Sequence, residues 1–417
     1  MAHRHLTVEV QEVLSHLARE PRPQQEKALS QLADTIAPLW HEGMNGRLSA
    51  MARLRLHLVR HQMLDEVLEL VRFEDDLARS KVSTPLLVDD GRALARYPFL
   101  RDPDRAVPDD CYDVTTQLGV PHHVARADIR GTTLHLAGYG YLHRVETSDV
   151  TTELVLRERD SKTEFRLPVT HTPTPGVGAG EDEGRYTYDR AGFEAAVDIT
   201  TAANGRPLDD GLWDISLSIG AQGLTREVRI GGRRADDVSG KAATHIVTTA
   251  EGTRAVTLYT THPHGNFTLD IGERKHAVLP QLRLNEAIRW ASDAPTELEF
   301  TGSCALAGYP EGALTVAMEN EQSAAAVFRA SQVSERDGTF VVRVPVTDLT
   351  VGTWHGELRL NSWALPLPEL PKDLPAAKWR RRALPWYAKP ARDAGERFAL
   401  QIARTDLVRA VARSIKG

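Results

Sequence analysis

The sequence predicts an α+β protein of several domains, with a helical N-terminal region, two consecutive antiparallel β-sandwiches and an amphipathic C-terminal helix. Three observations predict this architecture. Residues 6 to 79 repeat apolar positions at the three- and four-residue spacing of a helix face. Residues 112 to 375 form short alternating segments that are separated by turn residues, with no helical pattern between them. The 417 residues also exceed what one hydrophobic core organises, which favours about two to four domains.

The helical region carries one pair of histidines at a spacing that metal sites use. Leu29, Leu32 and Ile36 share one helical face, as expected for a helix that packs on a core. His57 and His61 lie one helical turn apart, beside the apolar stripe of a later helix. Because no third ligand lies nearby in the sequence, we interpret this pair as part of a solvated helix face and predict no metal.

Turn residues mark the predicted domain boundaries. Asp90-Gly91 is a type I′ turn signal between two short apolar runs, which predicts a small β-hairpin. The Pro/Asp-rich segment 101–110 is a connector, and the Gly/Asp-rich segment 231–244 resembles a joint between two sandwiches. The predicted domains are a helical domain with the hairpin at 1–110, β-sandwiches at 111–235 and 236–375, and a basic C-terminal helix at 376–417.

The two β regions repeat one another in the same order of elements. Four short segments of the first region align with four segments of the second, and the offset between them shrinks along the chain as loops become shorter. Similarities in a conserved order indicate tandem modules. The aligned segments are 132–142 with 296–306, 153–161 with 313–323, 189–199 with 336–346, and 209–219 with 350–360.

The last of these pairs contains a repeated motif in which Gly precedes Trp by two residues. DDGLWDISLSI holds Gly211 and Trp213, and TVGTWHGELRL holds Gly352 and Trp354. The spacing resembles the tyrosine corner of immunoglobulin domains, where an aromatic residue at a strand start bonds back to the preceding turn. Glycine allows the turn, and Trp can replace Tyr because its indole N–H is a donor.

The motif departs from the immunoglobulin pattern at the cysteine position. Ile215 and Gly356 stand there, so the inter-sheet disulfide is absent and the likeness concerns immunoglobulin-like architecture only. The alternative is that the corner tryptophans are stacking platforms for sugar rings. Alternating core residues follow both of them, which favours the structural interpretation. Trp290 and Trp363 are less constrained, and they are our candidates for glycan contact.

Catalytic signatures were sought and none was found. The sequence has no phosphate-binding G-x-x-x-x-G-K-[ST], no strand–G-x-G-x-x-G–helix unit and no G-x-S-x-G elbow. His262 and His264 fall in a predicted hairpin tip, and the acidic pairs fall in turns or linkers. Cys111 and Cys304 lie in different modules, which favours two buried thiols over a disulfide. We therefore predict no catalytic residue, cofactor or metal for this chain alone.

The C-terminal segment is strongly basic in an otherwise acidic chain. Residues 378–417 carry 11 Lys/Arg and 3 Asp/Glu, a net charge of +8, so the rest of the chain carries −14. Basic residues beside aromatic residues suit an anionic membrane surface or an anionic polymer. The alternative is a helix that docks its apolar face on the protein and exposes its arginines. The candidate contact residues are Arg380, Arg381, Arg382, Arg404, Arg409 and Arg413.

Localisation follows from what the sequence lacks. The N-terminus MAHRHLTVEVQEVLSHL has no signal-peptide core, and no apolar run is long enough to span a membrane. We therefore expect a cytoplasmic protein, peripheral at the inner face of the membrane where its basic segment binds, and we expect no nucleic-acid partner. The frequent Arg and Ala are typical of a high-GC genome, which suggests an actinobacterial source.

The order of these elements resembles a known family. The helical block WHEGMNGRLSAMARLRLHLVRHQMLDEVLELVRFED, the hairpin PLLVDDGRALARYPFL and the tandem sandwiches look like the region after the catalytic domain in bacterial family 2 glycosyltransferases that decorate wall teichoic acid. In that family a GT-A domain precedes a linker domain and immunoglobulin-like modules that trimerise the enzyme. The GT-A domain has no counterpart here, so the resemblance transfers no catalytic residue to this chain.

Three interpretations of function remain open. In the first, the chain is a non-catalytic linker and oligomerisation module that positions a cell-wall polymer glycosyltransferase and partners its catalytic domain. In the second, it is a free-standing carbohydrate-binding or structural β-sandwich protein. The helical block, which a simple binding module does not need, favours the first. The third and least favoured is an intact enzyme, which predicts hydrolysis of a UDP-sugar.

Overall fold

The described residues are predominantly β, and their α-helices all lie in the N-terminal part. The computed structural model describes residues 2–39, 42–80, 82–285, 288–321, 323–333, 338–391 and 398–405. None of the helices in these ranges is both long and apolar enough to cross a membrane. The α-helices of the described residues are α1 (Ala2–Leu17), α2 (Arg22–Ile36), α3 (Ala50–Arg60) and α4 (Leu64–Ser80).

Helix α3 is the centre of the helical region. Ser49 caps its N-terminus by accepting a hydrogen bond from the Ala52 amide at 3.2 Å. The helix is buried on several sides, and its Arg53 donates to the carbonyls of Asp110 and Leu48, both at 2.7 Å. A buried guanidinium must find acceptors, and here the connector supplies one of them. His57 is half-buried and its ring lies 4.4 Å from that of His61, so it does not lie on a fully solvated face.

A two-stranded hairpin follows the helices. Strands β1 (Leu86–Asp89) and β2 (Arg92–Ala95) pair in antiparallel register around Asp90 and Gly91, which have φ of 48° and 69°. Both central residues of a type I′ turn require positive φ, and the Asp-Gly pair meets that demand. The other side of β2 bonds to the chain beyond the connector, where the Val114 amide donates to the Ala93 carbonyl at 2.8 Å.

The first β region forms two antiparallel sheets. A four-stranded sheet has the order β3-β4-β8-β7, and a seven-stranded sheet has the order β11-β12-β13-β9-β5-β6 with β10 also paired to β9. The strands are β3 (His122–Arg130), β4 (Thr133–Gly140), β5 (Thr151–Glu158), β6 (Glu164–Pro168), β7 (Thr170–Thr172), β8 (Gly192–Asp198), β9 (Gly211–Ala221), β10 (Leu224–Arg229), β11 (Ala243–Thr249), β12 (Gly252–Thr260) and β13 (Phe267–Ile271).

The seven-stranded sheet crosses the boundary that the sequence placed between residues 235 and 236. Leu269 on β13 lies opposite Trp213 on β9, and both side chains belong to the same buried core. The segment 231–244, predicted to be a joint, is an ordered loop within this unit. Arg234 holds it by donating to the carbonyls of Gly231 at 2.9 Å and Val238 at 3.1 Å. Turn residues alone do not distinguish such a loop from a linker.

The second β region forms one large curled sheet. Its order is β14-β16-β19-β18-β17-β20-β24-β23-β22, with β15 paired to β16 and β21 paired to β20. The strands are β14 (Leu282–Leu284), β15 (Arg289–Trp290), β16 (Glu297–Cys304), β17 (Leu314–Asn320), β18 (Ser323–Val333), β19 (Thr339–Pro345), β20 (Gly352–Leu360), β21 (Trp363–Pro366), β22 (Ala377–Arg381), β23 (Leu384–Pro390) and β24 (Leu400–Arg404).

The segments that align in the sequence pair in the same way in both regions. In the first region β4 pairs with β8 and β5 pairs with β9. In the second region the aligned strands behave alike, since β16 pairs with β19 and β17 pairs with β20. The surrounding strands differ between the regions, so the common element is this set of four strands.

The C-terminal segment was predicted to be a helix, and its described residues form strands instead. Residues 377–390 make the β22–β23 hairpin, and β24 joins that hairpin to β20 by pairing Leu400 with Trp354. Leu400 and Ile402 are buried on alternate positions, which is the two-residue period of a strand. The predicted face beyond them, with Arg409 and Arg413, lies outside the described residues.

Candidate functional site

The first corner buries Trp213 at the start of β9. Its side chain is 1% exposed, and its indole N–H donates to the Asp209 carbonyl at 2.9 Å. The ring stacks on Phe165, with 5.6 Å between ring centroids. A Cβ at Gly211 would lie 2.8 Å from the Glu158 side chain, so the close approach of this carboxylate requires glycine.

Glu158 is the polar anchor behind that corner. Its carboxylate accepts hydrogen bonds from the amides of Asp160 at 2.7 Å, Ser161 at 2.6 Å and Leu212 at 3.3 Å. Burial raises the pKa of Glu158, but the hydrogen bonds from Ser161, Asp160 and Leu212 outweigh it, so the pKa lies below its ordinary value. The carboxylate therefore ties the turn after β5 to the start of β9.

The second corner repeats this arrangement on β20. Trp354 is 2% exposed, and its indole N–H donates to the Thr350 carbonyl at 2.9 Å. Gly352 has a φ of 147°, and a Cβ there would lie 2.5 Å from the amide nitrogen of Asn320. Glu319 pairs with His355, so the next residue, Asn320, lies opposite Trp354. Glu158 lies opposite Trp213 in the same way at the first corner. Both rings are too deeply buried to present a stacking face to a ligand.

The two candidate glycan-contact tryptophans are half-buried, and each uses its indole N–H within the protein. Trp290 donates to the Pro375 carbonyl at 2.8 Å. Trp363 donates to the Glu273 carboxylate at 2.7 Å, and Glu273 also accepts from the Val278 amide at 2.6 Å. Trp363 thus connects β21 to the loop that follows the seven-stranded sheet. These contacts are those of residues that join segments of the fold.

The β22–β23 hairpin with β24 gathers the predicted basic residues of the described C-terminal segment. We call this three-stranded element the basic hairpin. Trp379 and Trp386 are cross-strand neighbours whose ring centroids are 6.1 Å apart. The guanidinium groups of Arg381 and Arg404 lie 5.7 Å and 5.2 Å from the centroid of the Trp386 ring, within the range of cation–π contact. Arg382 lies at the turn, where it has a φ of 49°.

Groups of three or more potential metal ligands do not occur within the described residues. The acidic pair Asp209-Asp210 lies at the first corner, in a cleft of about 280 Å³ that Glu158 and Arg274 also line. Two of its carboxylates already have partners, since Glu158 is held by backbone amides and Asp210 lies 3.5 Å from Arg254. Both cysteines are buried free thiols, and burial raises the pKa of Cys111 to about 11.

Residues 111–271 match the family model described as TarS beta-glycosyltransferase C-terminal domain 1. This match confirms the resemblance to wall teichoic acid glycosyltransferases for that segment, which is less than half of the chain. Two solved structures are similar at low identity. A crystal structure of S. aureus TarS 217-571 has 13% identity and a TM-score of 0.36, and the alignment covers 83% of this chain and 85% of that one.

A second crystal structure, of S. aureus TarS, has 13% identity and a TM-score of 0.36 over 80% of this chain. The alignment covers 52% of that TarS chain, so this chain spans about half of its length. The search of curated proteins found no match.

The TarS-type segment ends where the seven-stranded sheet ends. Its last residue, Ile271, is also the last residue of β13, which agrees with the sheet and differs from the boundary predicted at 235/236. The first corner, with Trp213 and Glu158, lies inside the TarS-type segment. The second corner and the basic hairpin lie outside it.

The sequence located the individual residues better than it located their environment. The Gly–Trp spacing is the sequence signal for both corners. The role of Glu158 was missed, although its place at a strand end before Asp160-Ser161 was a signal for a capped turn. The cross-strand pair of Trp379 and Trp386 was also missed, because the segment was assigned to a helix.

Proposed function

We propose that this chain is the non-catalytic linker, oligomerisation and positioning module of a cell-wall polymer glycosyltransferase of the teichoic-acid type. The observation that carries the proposal is the match of residues 111–271 to a TarS C-terminal domain. The absence of catalytic motifs from the sequence supports it. In this role the chain acts in the cytoplasm beside a catalytic domain, on the same or another polypeptide.

The proposal includes a duplicated β module. Its support is the common pairing of β4 with β8 and β5 with β9 in one region, and of β16 with β19 and β17 with β20 in the other. The two Gly–Trp corners then have the same task, which is to anchor a late strand to the turn before it. A stable, duplicated scaffold suits a module that holds other domains in place.

The proposal also includes self-association, with a trimer as the state that the family resemblance implies. Light scattering after size exclusion tests it on the full chain at micromolar concentration. The expected result is one species at three times the monomer mass. A monomer at every concentration would overturn the oligomerisation role.

One surface residue sharpens that test. Val327 on β18 is 57% exposed, the largest exposed fraction among the large apolar side chains of the described residues. A single exposed apolar side chain is ordinary on a protein surface, so the variant asks whether this face of β18 lies in the contact. Val327→Lys is expected to lower the measured mass if this face forms the contact. Val351→Lys is the matched control, since Val351 is 44% exposed and lies outside β18, just before β20.

The alternative, a free-standing carbohydrate-binding protein, has less support. The indole N–H groups of Trp290 and Trp363 already have acceptors within the fold. Titration of Trp363→Ala and wild type with a teichoic-acid glycan distinguishes the two functions. Equal binding of the glycan by both proteins would show that Trp363 is not a stacking platform for sugar rings.

A further inference from the structure

We propose that the basic hairpin is a binding surface for a water-soluble anionic polymer of the polyphosphate class. The inference rests on the proposed function and deepens it, because it assigns to one surface of this chain the contact with an anionic polymer. Its basis is a set of cations that have no carboxylate partner among the described residues.

The charge of the basic hairpin is entirely of one sign in the described residues. Residues 377–391 and 398–405 contain six Lys/Arg and no Asp/Glu. Within the described part of the chain, none of the six forms an ion pair with a carboxylate. Six cations grouped on three short strands attract a polyanion more strongly than a single anion, since each bound charge releases counterions. The six are Lys378, Arg380, Arg381, Arg382, Lys389 and Arg404.

Three of these cations share one face of the strands. Lys378 lies opposite Tyr387, and Arg380 lies two residues further along the same strand. Lys389 lies two residues beyond Tyr387, and its ammonium group is 5.8 Å from the centroid of the Tyr387 ring. Neighbouring positions of this kind are roughly 7 Å apart on one face of a sheet. The face therefore offers a row of charges that successive anionic groups of an extended chain can meet.

The remaining three continue the charge around the hairpin. Arg381 and Arg404 lie over the ring of Trp386, and Arg382 projects from the turn. Stacking on an indole ring orients a guanidinium and leaves its N–H groups available, which suits bidentate contact with phosphate. A flexible polymer can contact both faces of the basic hairpin and its turn at once, whereas a flat membrane surface can contact only one face.

The aromatic residues favour a polymer over a lipid surface. Trp386 is 7% exposed and belongs to the core of the second β region, so its ring is not available for insertion into a membrane. Trp379 packs against that core as well. Leu384 is the one large apolar side chain of this element that is exposed, at 44%. Peripheral membrane elements insert several such side chains, and the basic hairpin offers one in its described residues.

The test is fluorescence-monitored titration of the full chain with long-chain inorganic polyphosphate over a range of NaCl concentrations. Wild type is expected to bind polyphosphate with an affinity that falls as the NaCl concentration rises, and to show no binding of inorganic monophosphate. The triple variant Lys378→Gln/Arg380→Gln/Lys389→Gln is expected to weaken binding by about tenfold or more and to reduce the salt slope by about two to three. Equal binding by the triple variant and wild type would overturn the proposal.

A matched control separates local charge from total charge. Arg19→Gln/Lys27→Gln/Arg47→Gln removes three exposed cations from the helical region, with the same change of net charge. It is expected to bind polyphosphate as wild type does. An equal loss in both triple variants would overturn the assignment to the basic hairpin. If the hairpin triple variant fails to fold, the charge reversal Lys389→Glu repeats the test at one exposed position.

Two further arms remove ambiguity about the partner. Vesicles of phosphatidylglycerol and phosphatidylcholine are offered to the same proteins, and binding to vesicles without binding to polyphosphate would overturn the choice of a soluble polymer. Light scattering on the same samples reports the oligomer. Loss of polymer binding with the oligomer intact refutes this inference alone, and a monomer that still binds polyphosphate refutes the oligomerisation role alone.

Discussion

The seven-stranded sheet and the basic hairpin both contain arginine and tryptophan, but these residues have different partners in the two regions. In the sheet, Arg157 on β5 donates two N–H groups to one carboxylate oxygen of Glu164 on the neighbouring strand β6, and it makes a bidentate contact with Glu227 on β10. Trp213 donates its indole N–H to a backbone carbonyl. In the basic hairpin no described carboxylate accompanies the six cations. The indole N–H groups of Trp379 and Trp386 are buried without an acceptor among the described residues.

This difference separates groups that serve folding from groups that remain available. A buried donor without an acceptor costs about 1–3 kcal/mol, and a cation without a partner adds repulsion to its neighbours. Trp213 and Arg157 avoid both penalties in the sheet, while Trp386 and the cations of the basic hairpin accept them. Such a local cost is expected where a surface is kept for a ligand.

The largest expected effect is on the corner itself. Trp213→Ala removes a ring that is 1% exposed and leaves the Asp209 carbonyl without its donor, so it is expected to lower the free energy of unfolding by about 3–5 kcal/mol. Urea denaturation followed by circular dichroism measures this change. The half-buried Trp363 provides the control, and Trp363→Ala is expected to cost less. A midpoint for Trp213→Ala equal to that of wild type would refute the corner as an anchor.

The second prediction isolates the indole hydrogen bond. Trp213→Phe and Trp386→Phe remove the same atoms from buried rings, but only Trp213 loses a hydrogen bond with them. Trp213→Phe is therefore expected to be the more destabilising by about 1–2 kcal/mol, measured by denaturation under identical conditions. Equal losses in the free energy of unfolding would mean that the two indole N–H groups do not differ in hydrogen bonding.

The third prediction concerns the arginines. Arg157→Gln breaks a network that also includes Arg166, and it is expected to lower the free energy of unfolding by about 0.5–1 kcal/mol. Arg380→Gln removes a cation without an ion-pair partner in the described residues and relieves repulsion from its neighbours, so it is expected to keep or slightly raise the free energy of unfolding. Denaturation at low and high NaCl checks the pair, since added salt should shrink the Arg157 effect. Destabilisation by Arg380→Gln at low salt would contradict the comparison.

The smallest expected effect lies at the tip of the basic hairpin. Ala383 has a φ of 63°, in the left-handed region that an L-residue occupies at a cost of about 1–2 kcal/mol. Ala383→Gly is expected to raise the free energy of unfolding by about 0.5 kcal/mol, after the extra chain entropy of glycine is subtracted. Ala403→Gly, in the extended strand β24, is the control and is expected to destabilise. Thermal melting measures both variants in parallel. Equal destabilisation of the two variants would contradict the turn geometry.

Local patterns could be predicted from the sequence, and long-range pairing could not. Asp90-Gly91 specified a hairpin because both residues tolerate positive φ, and the Gly–Trp spacing specified the corners because both partners of each hydrogen bond are four residues apart. The strand β24 depends on β20, more than forty residues earlier, and Leu400 also fits a helical spacing. A single sequence does not reveal that Trp354 lies opposite Leu400.

The same limit applies to the candidate site. The sequence identified Arg380, Arg381, Arg382 and Arg404 as basic, but it did not place Arg381 and Arg404 over the ring of Trp386. Their environment depends on strand register, which is fixed by contacts between distant segments. The basic composition alone thus predicts an anionic partner. The arrangement of the charges in a row on the basic hairpin is evident only from the structure.

Hydrogen–deuterium exchange with and without polyphosphate tests most directly whether the basic hairpin, and not the seven-stranded sheet, supplies charges for binding. The expected result is slower amide exchange on addition of polyphosphate in peptides covering residues 377–391 and 398–405, with no change in peptides covering β5, β9 and β10. Slower exchange in those sheet strands, or unchanged exchange throughout the basic hairpin, would contradict the division between charges that fold the protein and charges that bind its partner.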